Sequence, residues 1–90
     1  MTAGEVTAMR IDKWLFHARF YRTRALAQAA AISGRVRLNG VRVEKAGQTV
    51  KPGDILTLAR GREILAFRVL ALAERRGSAP ISRQLYECTD

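Results

Sequence analysis

The sequence predicts an α+β fold, with two N-terminal helices packed on a small antiparallel β-sheet of three to five strands. Three observations carry this. Apolar residues recur at helical spacing between residues 11 and 33; Asn39-Gly40 separates two alternating apolar–polar runs; and beyond residue 50 short apolar runs are divided by Pro-Gly and Gly turns.

Each element follows from its residues. Ile11, Trp14, Leu15 and Ala18 keep the i, i+3, i+4, i+7 spacing of one buried stripe, which predicts a first helix over 11–21 with Trp14 as a core anchor. Arg10, Lys13 and His17 fall on a different face, and Phe20 and Tyr21 fall at the helix end. Thr23 can cap a second helix over 24–33, where RALAQAAAIS has high helix propensity and alanines allow close packing. Gly34 supplies a left-handed stop. In RVRLNGVRVE, residues 35–44, the Asn-Gly pair suits a type I′ turn. That register sets Leu38 against Val41 and Val36 against Val43 on one face, with Arg37 opposite Arg42 on the other. Like charges so placed destabilise a sheet unless solvent screens them or an anion bridges them. Val50-Lys51-Pro52-Gly53-Asp54 forms a turn, Ile55–Ala59 a strand, residues 60–63 a turn, and Ile64–Leu72 a longer strand. Residues 73–79 read as a polar connector, and Pro80 can open a short C-terminal helix over 81–87. The domain plan is a disordered leader at 1–8, one domain over 9–72, and a C-terminal extension over 73–90.

Charge narrows the function. Sixteen Lys and Arg oppose eight Asp and Glu, for a net charge of +8, and this excess is self-repulsive in a compact fold. Residues 1–45 hold nine of the cations and three acids, so a face binding a polyanion should come from that half. Nucleic acid (RNA foremost, DNA as an alternative), an anionic membrane and an acidic protein are the candidate partners. An adaptor for membranes or acidic proteins would need an amphipathic helix with a wide exposed apolar face, which the sequence does not offer.

Catalysis finds little support. Cys88 and His17 are the sole cysteine and histidine, which gives no internal disulfide, no plausible zinc or other metal site and no base for a nucleophile. The glycines each have a turn to serve, and no phosphate loop is present. No enzyme activity, cofactor or small-molecule substrate is therefore expected. The first ten residues lack a signal-peptide core, and no apolar run approaches the ~18 residues that span a bilayer. The expectation is a soluble, cytoplasmic monomer.

Anion binding is well supplied. Arg10 and Lys13 stand at the start of the first helix, and Arg22, Thr23 and Arg24 at the start of the second, where free backbone N–H groups and the helix dipole favour phosphate. Gln28 lies one turn beyond Arg24, and Arg35 and Arg37 follow the second helix. Arginine can hold a phosphate bidentately and also stack on bases.

The runs RIDKWL at 10–15, YRTRALAQ at 21–28, GRVRLNG at 34–40 and VKPGD at 50–54 resemble the S4 domain, the RNA-binding module also called the αL motif. The resemblance covers residues 9–60. Within it, DKWL, ARFY at 18–21, TRALA and a late LYE at 85–87 resemble the ribosome-associated heat shock protein 15 family. The resemblance implies binding of structured RNA, in particular large ribosomal subunits carrying a stalled nascent chain with its tRNA. By resemblance the RNA surface falls on Arg10, Lys13, Thr23, Arg24, Gln28, Arg35, Arg37 and Asn39. Asn39 has equal claim as a turn residue, and Asp12 reads as a helix-starting or arginine-orienting residue. Longer family members carry an extended basic tail at the C-terminal end, where this sequence is short; RNA binding is what the resemblance implies for the residues given. Two other readings stay open: a general RNA chaperone or ribosome-assembly factor, and a detached specificity domain of an RNA-modifying or tRNA-charging enzyme.

Overall fold

The computed structural model describes residues 8–72 and 83–89. The expected leader, apart from Ala8, and the polar connector lie outside those residues. In chain order the elements are β1 (Met9–Arg10), α1 (Ile11–His17), α2 (Arg24–Ile32), β2 (Val36–Leu38), β3 (Val41–Arg42), β4 (Thr49–Val50), β5 (Ile55–Arg60), β6 (Glu63–Val69), a 3-10 turn (Arg83–Leu85) and β7 (Tyr86–Cys88). Five strands form one antiparallel sheet in the order β3-β2-β5-β6-β7, and β1 pairs with β4 as a separate two-stranded ribbon. The α+β architecture is the one the sequence predicts.

The Asn-Gly hairpin has the expected register, Arg37 opposite Arg42 and Leu38 opposite Val41, with Asn39 and Gly40 at φ 51° and 85°. Val36 and Val43 are buried, while Val41 at the tip is exposed. Thr23 caps α2 by accepting the Leu26 N–H at 3.1 Å, and Gly34 follows the helix at φ 83°.

Helix α1 ends four residues earlier than its apolar spacing predicts. Arg19 takes the left-handed conformation at φ 67°. The Phe20 N–H then bonds to the Leu15 carbonyl and the Arg19 N–H to the Phe16 carbonyl, both at 3.0 Å, which is the Schellman pattern. An arginine takes the position usually held by glycine, so no glycine announces the stop. The early stop turns Phe20 back onto the core. His17, expected on the polar face, is buried at the last turn of α1.

The expected C-terminal helix is also corrected. Its residues 83–85 make one 3-10 turn and 86–88 form the fifth strand, while 81 and 82 lie outside the described residues. Strand β7 pairs with β6 through Phe67–Cys88, Arg68–Glu87 and Val69–Tyr86. Phe67 and Tyr86 thereby join Trp14 and Phe20 in one aromatic cluster. Phe20 stacks on Phe67 at 4.4 Å between centroids, Trp14 on Phe67 at 5.7 Å, and Tyr86 tilts against Phe20 at 4.7 Å. Such offset and tilted pairs contribute beyond their buried area.

The core lies between the helices and one face of the sheet. Ile11, Trp14, Leu15, Ala27 and Ala31 from the helices meet Val36, Leu56, Leu58, Phe67 and Val69 from the strands. Trp14 is fully buried and its indole N–H donates to the Ala71 carbonyl at 2.9 Å, so its one polar atom is satisfied. Truncating it to alanine opens a large cavity beneath the Phe20 and Phe67 rings. We expect Trp14→Ala to destabilise the domain by about 3–5 kcal/mol, read from chemical denaturation. A stable mutant with lost ligand binding would instead make Trp14 a contact residue.

Candidate nucleic-acid interface

The candidate surface is organised around a buried acid. Asp12, in the first turn of α1, has a fully buried side chain. Arg10 grips it bidentately, with Nε donating to Oδ1 and Nη2 to Oδ2, each at 3.1 Å. The Lys13 backbone N–H donates to Oδ1 at 2.8 Å. From the start of α2, the Arg24 Nε lies 3.7 Å from Oδ2, and the Gln28 side chain adds a further hydrogen bond. Burial alone would raise the carboxyl pKa, but the hydrogen bonds from Arg10, Gln28 and the Lys13 backbone, with the charge of Arg10, hold it below its ordinary value. Asp12 is thus both the helix-starting and the arginine-orienting residue that its position suggested.

This changes the expected chemistry of the α1 start. A backbone donor there was a candidate for phosphate, but Asp12 accepts from Lys13, and the Ile11 N–H is used by the Gln48 carbonyl at 2.7 Å. The side chains of Arg10 and Arg24 remain 48% and 44% exposed, so each guanidinium is anchored on one side and open to solvent on the other. Tethering fixes their spacing and lowers the entropy lost when a ligand orders them. The surface here therefore joins Arg10, Arg24 and Gln28, with exposed Arg22 and Thr23 preceding α2.

The remaining predicted residues lie elsewhere. Arg37 alternates with buried Val36, so it emerges on the sheet face away from the helices, opposite Arg42 and Thr57. Arg35 is exposed just before β2, and its carbonyl accepts the Ala59 N–H at 2.8 Å. Asn39 serves its turn. Its Oδ1 accepts the Ile55 N–H at 2.9 Å and its Nδ2 donates to Asp54 Oδ1 at 3.2 Å, while Asp54 Oδ2 accepts the Lys51 N–H. The amide is thus engaged in tying the hairpin to β5.

Sequence reasoning missed the support behind these groups. Arg60 donates from Nη1 to the Phe20 carbonyl at 3.0 Å and so pins the α1–α2 connection to the end of β5. The Tyr21 hydroxyl is buried without a hydrogen-bond partner among the described residues. Burial raises its pKa, against the opposing charges of Arg60 and Arg35. No spacing in the sequence signals either feature, because both arise where distant segments meet.

Paired helix starts beside a twisted sheet, with arginines held on a shared carboxylate, define an αL-type module, and the S4 domain family model matches residues 9–56. The chain is 42% identical to the heat shock protein 15 homolog of Aeromonas salmonicida over 98% of its own length and 66% of that protein's. It is 39% identical to the RQC P-site tRNA stabilizing factor of Bacillus subtilis, covering 73% of this chain and 76% of that one. The trimeric structure of Vibrio cholerae heat shock protein 15 superposes with a TM-score of 0.86 at 38% identity, covering 91% of this chain and 82% of that one. The chain belongs to the S4 domain family and, within it, to the heat shock protein 15 group. It spans 60–66% of the length of the curated heat shock protein 15 relatives first matched.

The Asp12 geometry has a pH consequence. Its folded pKa lies below the ordinary 3.8, so its ionised form contributes stability above that value, and the contribution is lost as pH falls through the lower folded pKa. Asp12→Asn should therefore be less stable than wild type at neutral pH, with the gap closing below about pH 4. Thermal unfolding of both proteins from pH 7 to 3 measures this, and a gap that is constant with pH would mean that the carboxylate charge is not what holds the two helices.

Proposed function

We propose that this chain is a non-catalytic, cytoplasmic RNA-binding protein that grips structured RNA, with rRNA or tRNA on the large ribosomal subunit as its target in a stress or stalled-translation rescue role. The observation that carries the reading is the half-exposed Arg10–Arg24 pair held on buried Asp12, with Arg22, Thr23 and Gln28 beside it. Two fixed guanidinium groups at the junction of two helices suit the phosphates of a folded backbone. The net charge of +8 supplies long-range attraction to a polyanion. The names of the relatives add support, since one is a P-site tRNA stabilizing factor and others are heat shock proteins. We read Arg10, Lys13, Arg22, Thr23, Arg24, Gln28, Arg35, Arg37 and Asn39 as the RNA-contacting set. Asn39 is its weakest member, because its amide already serves the turn. The protein is read as a monomer, and sedimentation with and without RNA tests that against the trimer solved for the Vibrio relative.

Crosslinking in cells followed by sequencing of the bound RNA decides the target. Large-subunit rRNA together with tRNA supports the proposal; dispersed mRNA would make the protein a general RNA chaperone.

Two further results are expected in vitro. Neutralising about three to five phosphates gives a log–log salt slope of roughly −2 to −4, and a flat response would remove the electrostatic basis of the reading. The best probes of the surface are arginines that make no ion pair among the described residues, because Arg10 and Arg24 also hold Asp12. Arg22→Gln should reduce affinity for a folded rRNA fragment about threefold to tenfold and lower the salt slope by about one, with thermal unfolding unchanged. Arg83→Gln, near the chain end, should change neither. Equal losses from both would show that the protein acts as a diffuse polycation.

A further inference from the structure

The face of the sheet turned away from the helices has no partner among the described residues. Alternation along the strands decides what it shows. Val36, Leu56, Leu58 and Phe67 point into the core, so Arg37, Thr57 and Ala59 point outward. Cross-strand pairing aligns Arg42, Arg37 and Thr57 in one row, and Ala59 with exposed Ile64 in another. Gly34, Arg35, Arg37, Gly40, Thr57, Ala59 and Ile64 line an open groove of about 470 Å³. The Arg42 guanidinium lies against Gly34, where an added Cβ would come within 2.7 Å of it, so three arginines border one depression. None of the three makes an ion pair among the described residues, in contrast to Arg68, which pairs with Glu87 at 2.7 Å on the same sheet.

The geometry points to a second RNA contact on this open sheet face, separate from the helix-junction surface and made to the phosphodiester backbone of another RNA segment. The inference goes beyond the proposed RNA binding and rests on it. Charge selects the ligand: among the described residues, three arginines without a paired acid and a threonine hydroxyl offer donors and no anion. The small side chains of Thr57 and Ala59 let a backbone approach the strands closely. No aromatic ring of the described residues lies on this face, because Phe67 and Tyr86 belong to the core cluster, so it does not stack splayed bases as sequence-reading sheets do. Contact here is therefore insensitive to base sequence and sensitive to salt. The like-charge opposition of Arg37 and Arg42 also finds its relief when a phosphate sits between their strands. A folded RNA with two backbone segments on either side of the domain would be clamped, and a short hairpin would not.

The test uses the full chain, a single short RNA hairpin and intact large-subunit rRNA. Ala59→Glu places a carboxylate in the groove at an exposed strand position, and Ala59→Gln controls for size; thermal unfolding confirms that both fold. At about 0.1 M salt, Ala59→Glu should bind the rRNA about tenfold more weakly than Ala59→Gln, with a salt slope smaller by one to two. Its affinity for the hairpin should stay within about twofold of the control. Equal rRNA affinity for the two variants would overturn the second contact, as would an equal loss on hairpin and rRNA, which would merge this face with the first surface. Wild-type protein that binds neither RNA would instead overturn the underlying RNA-binding reading, and that failure shows before any variant is made.

Discussion

A buried carboxylate governs the arrangement of this domain. Asp12 has no exposed surface, yet it is ionised and partnered from two helices, by Arg10 and the Lys13 N–H on one side and by Arg24 and Gln28 on the other. An unpaired buried charge is strongly destabilising, so the helices are constrained to the one relative placement that satisfies it. The same constraint sets two guanidinium groups at the surface at fixed spacing. Fold and candidate function therefore share one interaction, and a variant that removes a partner of Asp12 alters both. The pair does not simply add stability, since desolvation offsets much of the attraction; its contribution is to specify a geometry.

The arginines divide by what they are used for. Arg60 pins a connection through the Phe20 carbonyl, and Arg10 and Arg24 divide themselves between carboxylate and solvent. Arg22, Arg35 and Arg37 have no such internal partner among the described residues. The excess charge seen in the sequence is thus a mixture of structural and available cations, and only the second group is a fair measure of anion-binding capacity.

Much of the fold was legible because its signals are local. Asn39-Gly40 dictated the hairpin and its register, Thr23 and Gly34 bracketed α2, and the stripe through Trp14 identified the core face of α1. What was not legible depends on distant segments or on residues acting against type. The β1–β4 ribbon joins two-residue strands about forty positions apart, too short to show alternation. Arg19 in a left-handed conformation ended α1 without a glycine to announce it. Strand β7 is three residues long and takes its direction from β6, so its residues read equally well as a helical turn. At the candidate site, residue types were readable and their commitments were not. Composition marks Asn39 and Arg24 as polar and available, and only the folded contacts show one engaged in a turn and the other half engaged with Asp12.

The reach of Trp14 has a consequence for how the chain acquires its shape during synthesis. Its indole bonds to the carbonyl of Ala71, 57 residues downstream, and its ring packs on Phe67, with Tyr86 closing the cluster from the last strand. The helices are translated first, and the partners that hold them emerge from the ribosome later. Non-local contacts of this kind are formed only after the intervening loop has been closed. The core that seats the arginine-bearing helices is therefore complete only with β6 and β7 in place, so a nascent chain cut short before β6 carries the cations of the surface without the packing that supports them.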